Sequence, residues 1–535
     1  MPLFAPQTHP TPRPAPLTLS IGRAHKPRAF GLQRVRATLL LTLLLGSGSG
    51  WTQAARGDAE GGVREGLPPA VEQALERARV PRSALVAVVQ DVDARQPRLA
   101  WQPGQPVNPA SLMKLLTTAA ALDRLGPAWK WRTPVWLSGR VSDPGPRGVL
   151  AGDVVIKGSG DPSLVVERVW LQLRRLRQAG VQRIEGDIVL DRSAFRPEPD
   201  SPGDFDGESL RPYNVGADAL LLNYKSLQLT LTPDIAAGVA RTALEPALAG
   251  LQASATVPLS SARCEDWRGA LALDFSNPAQ LRLGGSYPVA CGVQHWQIAY
   301  PDPATYAHRL IAALWSEVGG SLGGTVRDGP APTGVQPSFD IPSPVLADVV
   351  RDINRYSNNV MAQQLFLTLG LQQAGDGSGE SSSRVLQAWA AERLGADAQG
   401  LVVENGSGLS RENRVSAQAL ARLLGTQWRS AMLPSLFASL PASGGEGSLR
   451  RSRLPTGRAH LKTGSLRDVA GVAGYVLTEG GRWRIVVAVL NHEQAQAARP
   501  ALDALVQWAM ADEPGSAERR PRGTGERNGA GATRP

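Results

Sequence analysis

A chain of 535 residues with 42% hydrophobic content has material for several cores, so a small stapled scaffold is excluded and about two to four domains are expected. The formal net charge of +10 suggests an anionic partner, but seven Arg/Lys and no acid lie in residues 1–56, and five Arg against three Glu lie in 513–535. The body between is close to neutral, which removes the main support for nucleic-acid binding.

Residues 1–56 read as a signal peptide region. Basic positions run through Arg36, an apolar run spans Ala37 to Leu45, and a small-residue site at Thr52-Gln53-Ala54-Ala55 predicts cleavage near Ala54-Ala55. The apolar run, about ten residues, is too short for a stable membrane span, so an exported chain is expected. Residues 68–82 carry a helical apolar face, Val71, Ala74, Leu75 and Ala78. Residues 83–90 read as a buried strand, and 98–101 as its returning partner. Next comes Asn108-Pro109-Ala110-Ser111-Leu112-Met113-Lys114, a helix start whose apolar run continues to Gly126-Pro127.

From Trp131 to about Ser343 the texture changes to short β-like runs broken by Pro and Gly. Strands are expected at 149–156, 184–191 and 220–232, helices at 165–178 and 305–318, and a β-rich section from Ala253 to Tyr300. Helices then return at 344–354, 358–369, 383–394 and 416–427. The chain continues with strands at 460–463, 469–477 and 483–491 and a final helix at 494–510. The tail from 513 to 535 reads as disordered. The hairpin at 83–101 can pair with the late strands, making one antiparallel sheet from the two ends of the chain.

In a chain with an export signal, the isolated pair Cys264 and Cys291 reads as a structural disulfide. His295, His308, His460 and His492 have no partner at metal-ligand spacing, and the one Gly-x-Ser-x-Gly pattern, Gly319-Gly320-Ser321-Leu322-Gly323, follows the expected helix at 305–318 where a nucleophile elbow needs a strand. A zinc hydrolase and a Ser-His-Asp enzyme are therefore disfavoured, and no cofactor is expected.

Three short motifs stand in order: Ser111-x-x-Lys114, Ser357-Asn358-Asn359 and Lys462-Thr463-Gly464. Each has a bland meaning alone, as a helix cap, a polar loop and a strand ending in a glycine turn. As an ordered triple on helix, helical join and strand they fit acyl transfer. Ser111 Oγ would attack a carbonyl, with Lys114 as its neutral base. Ser357 would relay the proton to the leaving amine, and Asn359 would orient the lysine and substrate. Lys462 would supply a fixed positive charge that keeps Lys114 neutral and attracts a carboxylate. Gly464 would let a substrate backbone lie close to the strand. The chain has only six lysines among its 57 basic side chains, and lysine, unlike arginine, can be made neutral.

These motifs resemble those of the penicillin-recognising serine peptidases, and the long insertion narrows the likeness to low-molecular-mass class C penicillin-binding proteins of the penicillin-binding protein 4 type. The likeness also includes Gly160-Asp161-Pro162-Ser163-Leu164, Gly186-Asp187-Ile188, Asn405-Gly406-Ser407-Gly408-Leu409-Ser410 and Ser465. It implies an α+β fold. A penicillin-binding/β-lactamase-like transpeptidase domain, an antiparallel sheet flanked by helices, would be split by a large insertion forming two extra β-rich domains. Its parts would be 66–130 and 344–512 for the peptidase domain, 131–205 and 298–343 for a second domain, and 206–297 for a third nested within the second.

The resemblance further implies a periplasmic D-alanyl-D-alanine carboxypeptidase/endopeptidase that cleaves peptidoglycan stem peptides and cross-links through an acyl-enzyme on Ser111 and is acylated by β-lactams. The Ser111 and Ser465 N–H groups would form the oxyanion hole, and Thr463 and Ser465 would hold the terminal carboxylate. Asp200, Phe205 and Arg411 would bind a diaminopimelate side chain. Cys264 and Cys291 match the cysteine pair of the innermost domain. The Asn405-Gly406-Ser407-Gly408 segment, where the family shows Asp-Gly-Ser-Gly, is expected to be structural. The rivals are a β-lactamase and a non-catalytic cell-wall binding protein on the same fold. Residues 111 and 357 stand further apart than a single-domain lactamase needs, and no Glu-x-x-Leu-Asn segment is present.

Overall fold

The computed structural model describes residues 66–142, 147–196 and 202–512. The expected signal region and its cleavage site, the 513–535 tail and Asp200 lie outside the described residues.

Helix α1 (Pro69–Arg77) precedes strands β1 (Leu85–Asp91) and β2 (Leu99–Trp101), and a one-turn 3-10 helix at Ala110–Leu112 runs into α2 (Met113–Leu125). The first helix stops before residue 82 because Arg79 takes a positive φ of 56° and Pro81 follows. The inserted region contributes β3 (Arg132–Ser142), β4 (Val149–Lys157), α3 (Val166–Gln178), β5 (Ile188–Asp191), β6 (Ser226–Asp234), β7 (Val239–Glu245), β8 (Gln294–Ala299) and α4 (Tyr306–Glu317). The late helices are α5 (Leu346–Tyr356), α6 (Asn359–Ala374), α7 (Gly379–Leu394), α8 (Ala417–Trp428) and α9 (Leu433–Ser439), the last of them not anticipated. Strands β9 (Ala459–Leu466), β10 (Val469–Leu477) and β11 (Trp483–Asn491) and helix α10 (Arg499–Met510) complete the described chain.

The two ends of the chain share one five-stranded antiparallel sheet, ordered β2-β1-β11-β10-β9. Val88 lies opposite Val487, and Lys462 opposite Ala473 on the sheet's edge strand. Successive side chains of a strand point to opposite faces. Val86, Val88, Val487 and Val489 accordingly join the core with α2 and α5–α8, while Val89, Val486 and Ala488 pack on the other side with α1 and α10. Both faces are covered, so the strands read as near-continuous apolar runs. Helix α2 is buried over residues 113–122, Thr117 and Thr118 included, as expected of a helix surrounded by others.

The two flanks of the insertion meet in a seven-stranded sheet, where β4 runs parallel to β5 and β3 pairs with the strand Phe339–Pro342. Between them, β6 is flanked by β7 and β8 in a five-stranded sheet. Cys264 and Cys291 form a disulfide. Two expected strands are shorter than anticipated. The 184–191 run breaks at Glu185–Asp187, where Asp187 N donates to Asp153 Oδ1 at 2.7 Å and a Cβ on Gly186 would collide with the same carboxylate. The 220–232 run becomes strand only at Ser226, because Asn223, Tyr224 and Lys225 all take positive φ in a 3-10 turn. The final helix begins at Arg499, not 494, with Pro500 in its first turn. Among the described residues no helix is long and apolar enough to cross a membrane.

Candidate active site

The turn carrying Ser111 is held from both sides. Asn108 Oδ1 accepts from Ala110 N at 2.9 Å, and Asn108 and Asn491 exchange hydrogen bonds of 2.8 and 3.0 Å between backbone and side chain, pinning the turn to the end of β11. Ala110 takes a positive φ of 47°, the kind of strained position found where surrounding structure over-determines the backbone. Ser111 itself is half-buried at the head of α2.

One turn on, Lys114 is fully buried, and its Nζ donates to Ser111 Oγ at 2.9 Å, Asn359 Oδ1 at 2.7 Å and the Ser407 carbonyl at 2.5 Å. Burial, and after it the nearby charge of Lys462, pushes this amine well below the usual lysine range. Ser357, with φ of 56°, ends α5, and Asn358 caps α6 by accepting from Met361 N at 3.0 Å. This two-residue reversal puts Asn359 at the start of α6, facing Lys114.

Lys462 is also fully buried and donates to Ser357 Oγ and to the Thr463 carbonyl, both at 2.8 Å. Burial lowers its pKa to about 7. Desolvation disfavours the charged form of a buried amine. Burial, with Lys462 second, is what depresses Lys114. Gly464 also has a packing role. A Cβ there would lie 2.8 Å from the Pro109 carbonyl and 3.3 Å from Leu112 Cγ, so the close approach it permits is of the nucleophile turn to the strand.

The chain has known relatives. The D-Ala-D-Ala carboxypeptidase 3 (S13) family matches residues 67–512. The chain belongs to that family. A D-alanyl-D-alanine carboxypeptidase of Actinomadura sp. (strain R39) is 27% identical over 516 residues, covering 92% of each chain. The D-alanyl-D-alanine carboxypeptidase DacB of Haemophilus influenzae is 21% identical over 399 residues, covering 71% of this chain and 80% of that one. In structure, penicillin binding protein 4 (dacB) from Haemophilus influenzae superposes with a TM-score of 0.66 at 19% identity, over 82% of this chain and 99% of that one. The same protein complexed with a β-lactam gives 0.62. As an S13 family member the chain is a serine-type D-Ala-D-Ala carboxypeptidase, a hydrolase.

The 405–408 segment was expected to be structural, but its contact with Lys114 was not anticipated, nor were Thr118 and Asn354. The Ser407 carbonyl on Lys114 is delivered by Asn405, whose Oδ1 accepts from Ser407 N, Ser407 Oγ and Gly408 N. Thr118 Oγ1 donates to the Lys114 carbonyl at 2.7 Å and accepts from the fully buried Asn354, which also donates to Ser439. For Thr118, a polar residue inside an apolar helix was the available signal. Gly408, at φ 81°, sits where a Cβ would fall 1.9 Å from the Ala110 carbonyl. Gly408→Ala is expected to cost about 3 kcal/mol, combining backbone strain with overpacking, and to slow penicillin acylation as the Ser111 turn shifts. Denaturant melts beside acylation rates check it; unchanged stability would contradict the contact.

The outer predicted residues are partly brought together. The Arg411 guanidinium lies over the Phe205 ring at 4.7 Å and pairs with Asp468 at 2.9 Å. Thr463 Oγ1 donates to Ser448 Oγ at 2.9 Å, and Ser465 is exposed beside Gln496.

Proposed function

We propose that this chain hydrolyses the D-alanyl-D-alanine bond of peptidoglycan stem peptides, and the D-alanyl bond of cross-links, through an acyl-enzyme on Ser111, and that β-lactams acylate the same oxygen. The observation that carries the reading is the buried Lys114 amine, 2.9 Å from Ser111 Oγ, with its pKa pushed down so that it can accept a proton. Lys114 takes the Ser111 proton as Oγ attacks the carbonyl carbon of the penultimate D-alanine. N–H groups of Ser111 and Ser465 stabilise the tetrahedral oxyanion, a contribution typically worth about 3 kcal/mol per donor. As the C–N bond breaks, Ser357 hands its hydroxyl proton to the leaving amine and takes the proton held by Lys114 in its place, so the D-alanine leaves neutralised and Lys114 is again a free base. Ser357 Oγ accepts from Lys462, which leaves the hydroxyl proton free to donate. Water then attacks the ester with Lys114 as base, releasing the shortened peptide and Ser111.

In this reading Lys462, Thr463 and Ser465 receive the terminal carboxylate, and Asn359 orients both Lys114 and the substrate amide. Asp200, Phe205 and Arg411 bind the third stem-peptide side chain. Residues 66–130 and 344–512 make the peptidase domain, 131–205 and 298–343 a second domain and 206–297 a third, and the chain acts in the periplasm after export. The β-lactam complex of the Haemophilus protein supports the antibiotic part of the proposal.

The test is incubation of the purified chain with fluorescent penicillin, mass mapping of the adduct, and measurement of D-alanine released from a D-Ala-D-Ala peptide. The expected result is a stable adduct on the peptide containing Ser111, together with D-alanine release. Penicillin turnover without D-alanine release would favour the β-lactamase alternative, and an adduct elsewhere would overturn the assignment of the nucleophile.

A further inference from the structure

A cavity of about 660 Å³ opens beside Ser357 and Asn359 and extends into the inserted region. Its size is that of a ligand pocket, since such sites usually span about 300–1,000 Å³. Part of its lining is a row across three adjacent strands. Gln297 on β8 lies opposite Gln228 on β6, and Gln228 lies opposite Glu245 on β7, so the three side chains share one face of the sheet. Neighbouring strands are about 4.8 Å apart, which makes the row roughly 10 Å long. Gln297 Nε2 donates to Gln228 Oε1 at 2.6 Å, leaving an amide acceptor on one residue and an amide donor on the other.

Around this row stand Tyr213, Tyr356 and Glu167. Tyr213 and Tyr356 are 41% and 58% exposed, rings that offer an apolar face with a polar edge. The Tyr213 carbonyl accepts from Asn359 Nδ2 at 3.4 Å, which ties this wall to the proposed catalytic asparagine. Among the described residues the lining contains two carboxylates and no lysine or arginine.

That charge pattern selects the ligand. Peptides ending in carboxylates would be repelled by Glu167 and Glu245, and the cations able to receive them, Lys462 and Arg411, lie outside the cavity lining. A neutral ligand bearing hydroxyl and acetamido groups is matched instead: hydroxyls donate to carboxylates, acetamides pair with glutamine amides, and ring faces stack on tyrosines. We propose that this cavity is a saccharide subsite that holds an N-acetylated amino-sugar unit of the wall polymer while the attached peptide lies at Ser111. The proposal rests on the wall-peptide reading above.

The test has two arms, both on the full chain. In the first, the β-1,4-linked N-acetylglucosamine disaccharide is titrated by calorimetry against the wild-type protein and the Glu245→Ala/Gln297→Ala variant. Saturable binding weakened by about tenfold in the variant is expected, as for the loss of two polar partners. In the second, D-alanine release is compared between a D-Ala-D-Ala peptide and the same peptide carrying the disaccharide. The sugar should lower KM by about tenfold in the wild type. The variant should lose that advantage while keeping its kcat and its KM for the bare peptide. A melting temperature equal to that of the wild type shows that the variant is folded; if it is not, Gln228→Ala takes its place.

The subsite is overturned by absence of saturable disaccharide binding, by binding indifferent to the substitutions, or by equal losses on both peptides. Preference for a cationic peptide over the disaccharide would overturn it as well. Should neither peptide release D-alanine, the hydrolase reading fails, and the calorimetric arm still decides the subsite.

Discussion

Ser111→Ala should eliminate covalent labelling by fluorescent penicillin and lower D-alanine release by about a million-fold, the scale seen when an acyl-transfer nucleophile is deleted. The size follows from what remains. Lys114 still has Asn359 Oδ1 and the Ser407 carbonyl as acceptors, and the turn is still pinned by Asn108 and Asn491, so the substitution removes one oxygen and leaves the scaffold standing. Ser111 is half-buried and its hydroxyl accepts a hydrogen bond from Lys114, so stability should change by less than about 1 kcal/mol. Gel fluorescence, D-alanine release and a thermal melt on the same preparation read all three quantities. Penicillin and substrate should still bind reversibly, which separates a disabled hydrolase from a protein that only binds wall polymer. Labelling that persists in Ser111→Ala would sink the mechanism.

Much of the scaffold could be read from local pattern. Residues 469–477 and 483–491 are continuous apolar runs bounded by a Gly turn, and they form strands over those residues. They pair with the early hairpin in one antiparallel sheet, as expected from the two ends of the chain. The three motifs also meet: Lys114 touches Ser111 and Asn359, and Lys462 touches Ser357. What escaped depends on contacts between distant segments. The Ser407 carbonyl reaches Lys114 across 293 residues, and a backbone carbonyl carries no side-chain signature. The titration of Lys462 follows from its burial under tertiary structure, which a strand motif does not reveal. The Asn223–Lys225 turn escaped because three non-glycine residues with positive φ contradict local preference and are tolerated only where surrounding contacts hold them.

Lys114→Arg is the sharper test of the base, because it retains a positive group while removing the ability to lose a proton. Acylation by penicillin should fall by about a thousand-fold, within the usual range for loss of general-base catalysis. Burial and Lys462 together favour the neutral form of Lys114, and a neutral amine hydrogen-bonded to Ser111 Oγ can take its proton. An arginine there stays charged at every working pH. The pH profile distinguishes this loss from simple misplacement. In the wild type, acylation should rise with pH as Lys114 loses its proton through its depressed pKa. It should fall again as Lys462 loses the charge that attracts the carboxylate, above about pH 7 in the unliganded enzyme. In Lys114→Arg the ascending limb should vanish, whereas Lys462→Arg should keep it and lose the descending limb. Second-order acylation rates measured from about pH 5 to about pH 10 separate these cases. Near-normal acylation by Lys114→Arg, with its ascending limb intact, would show that another group takes the proton from Ser111.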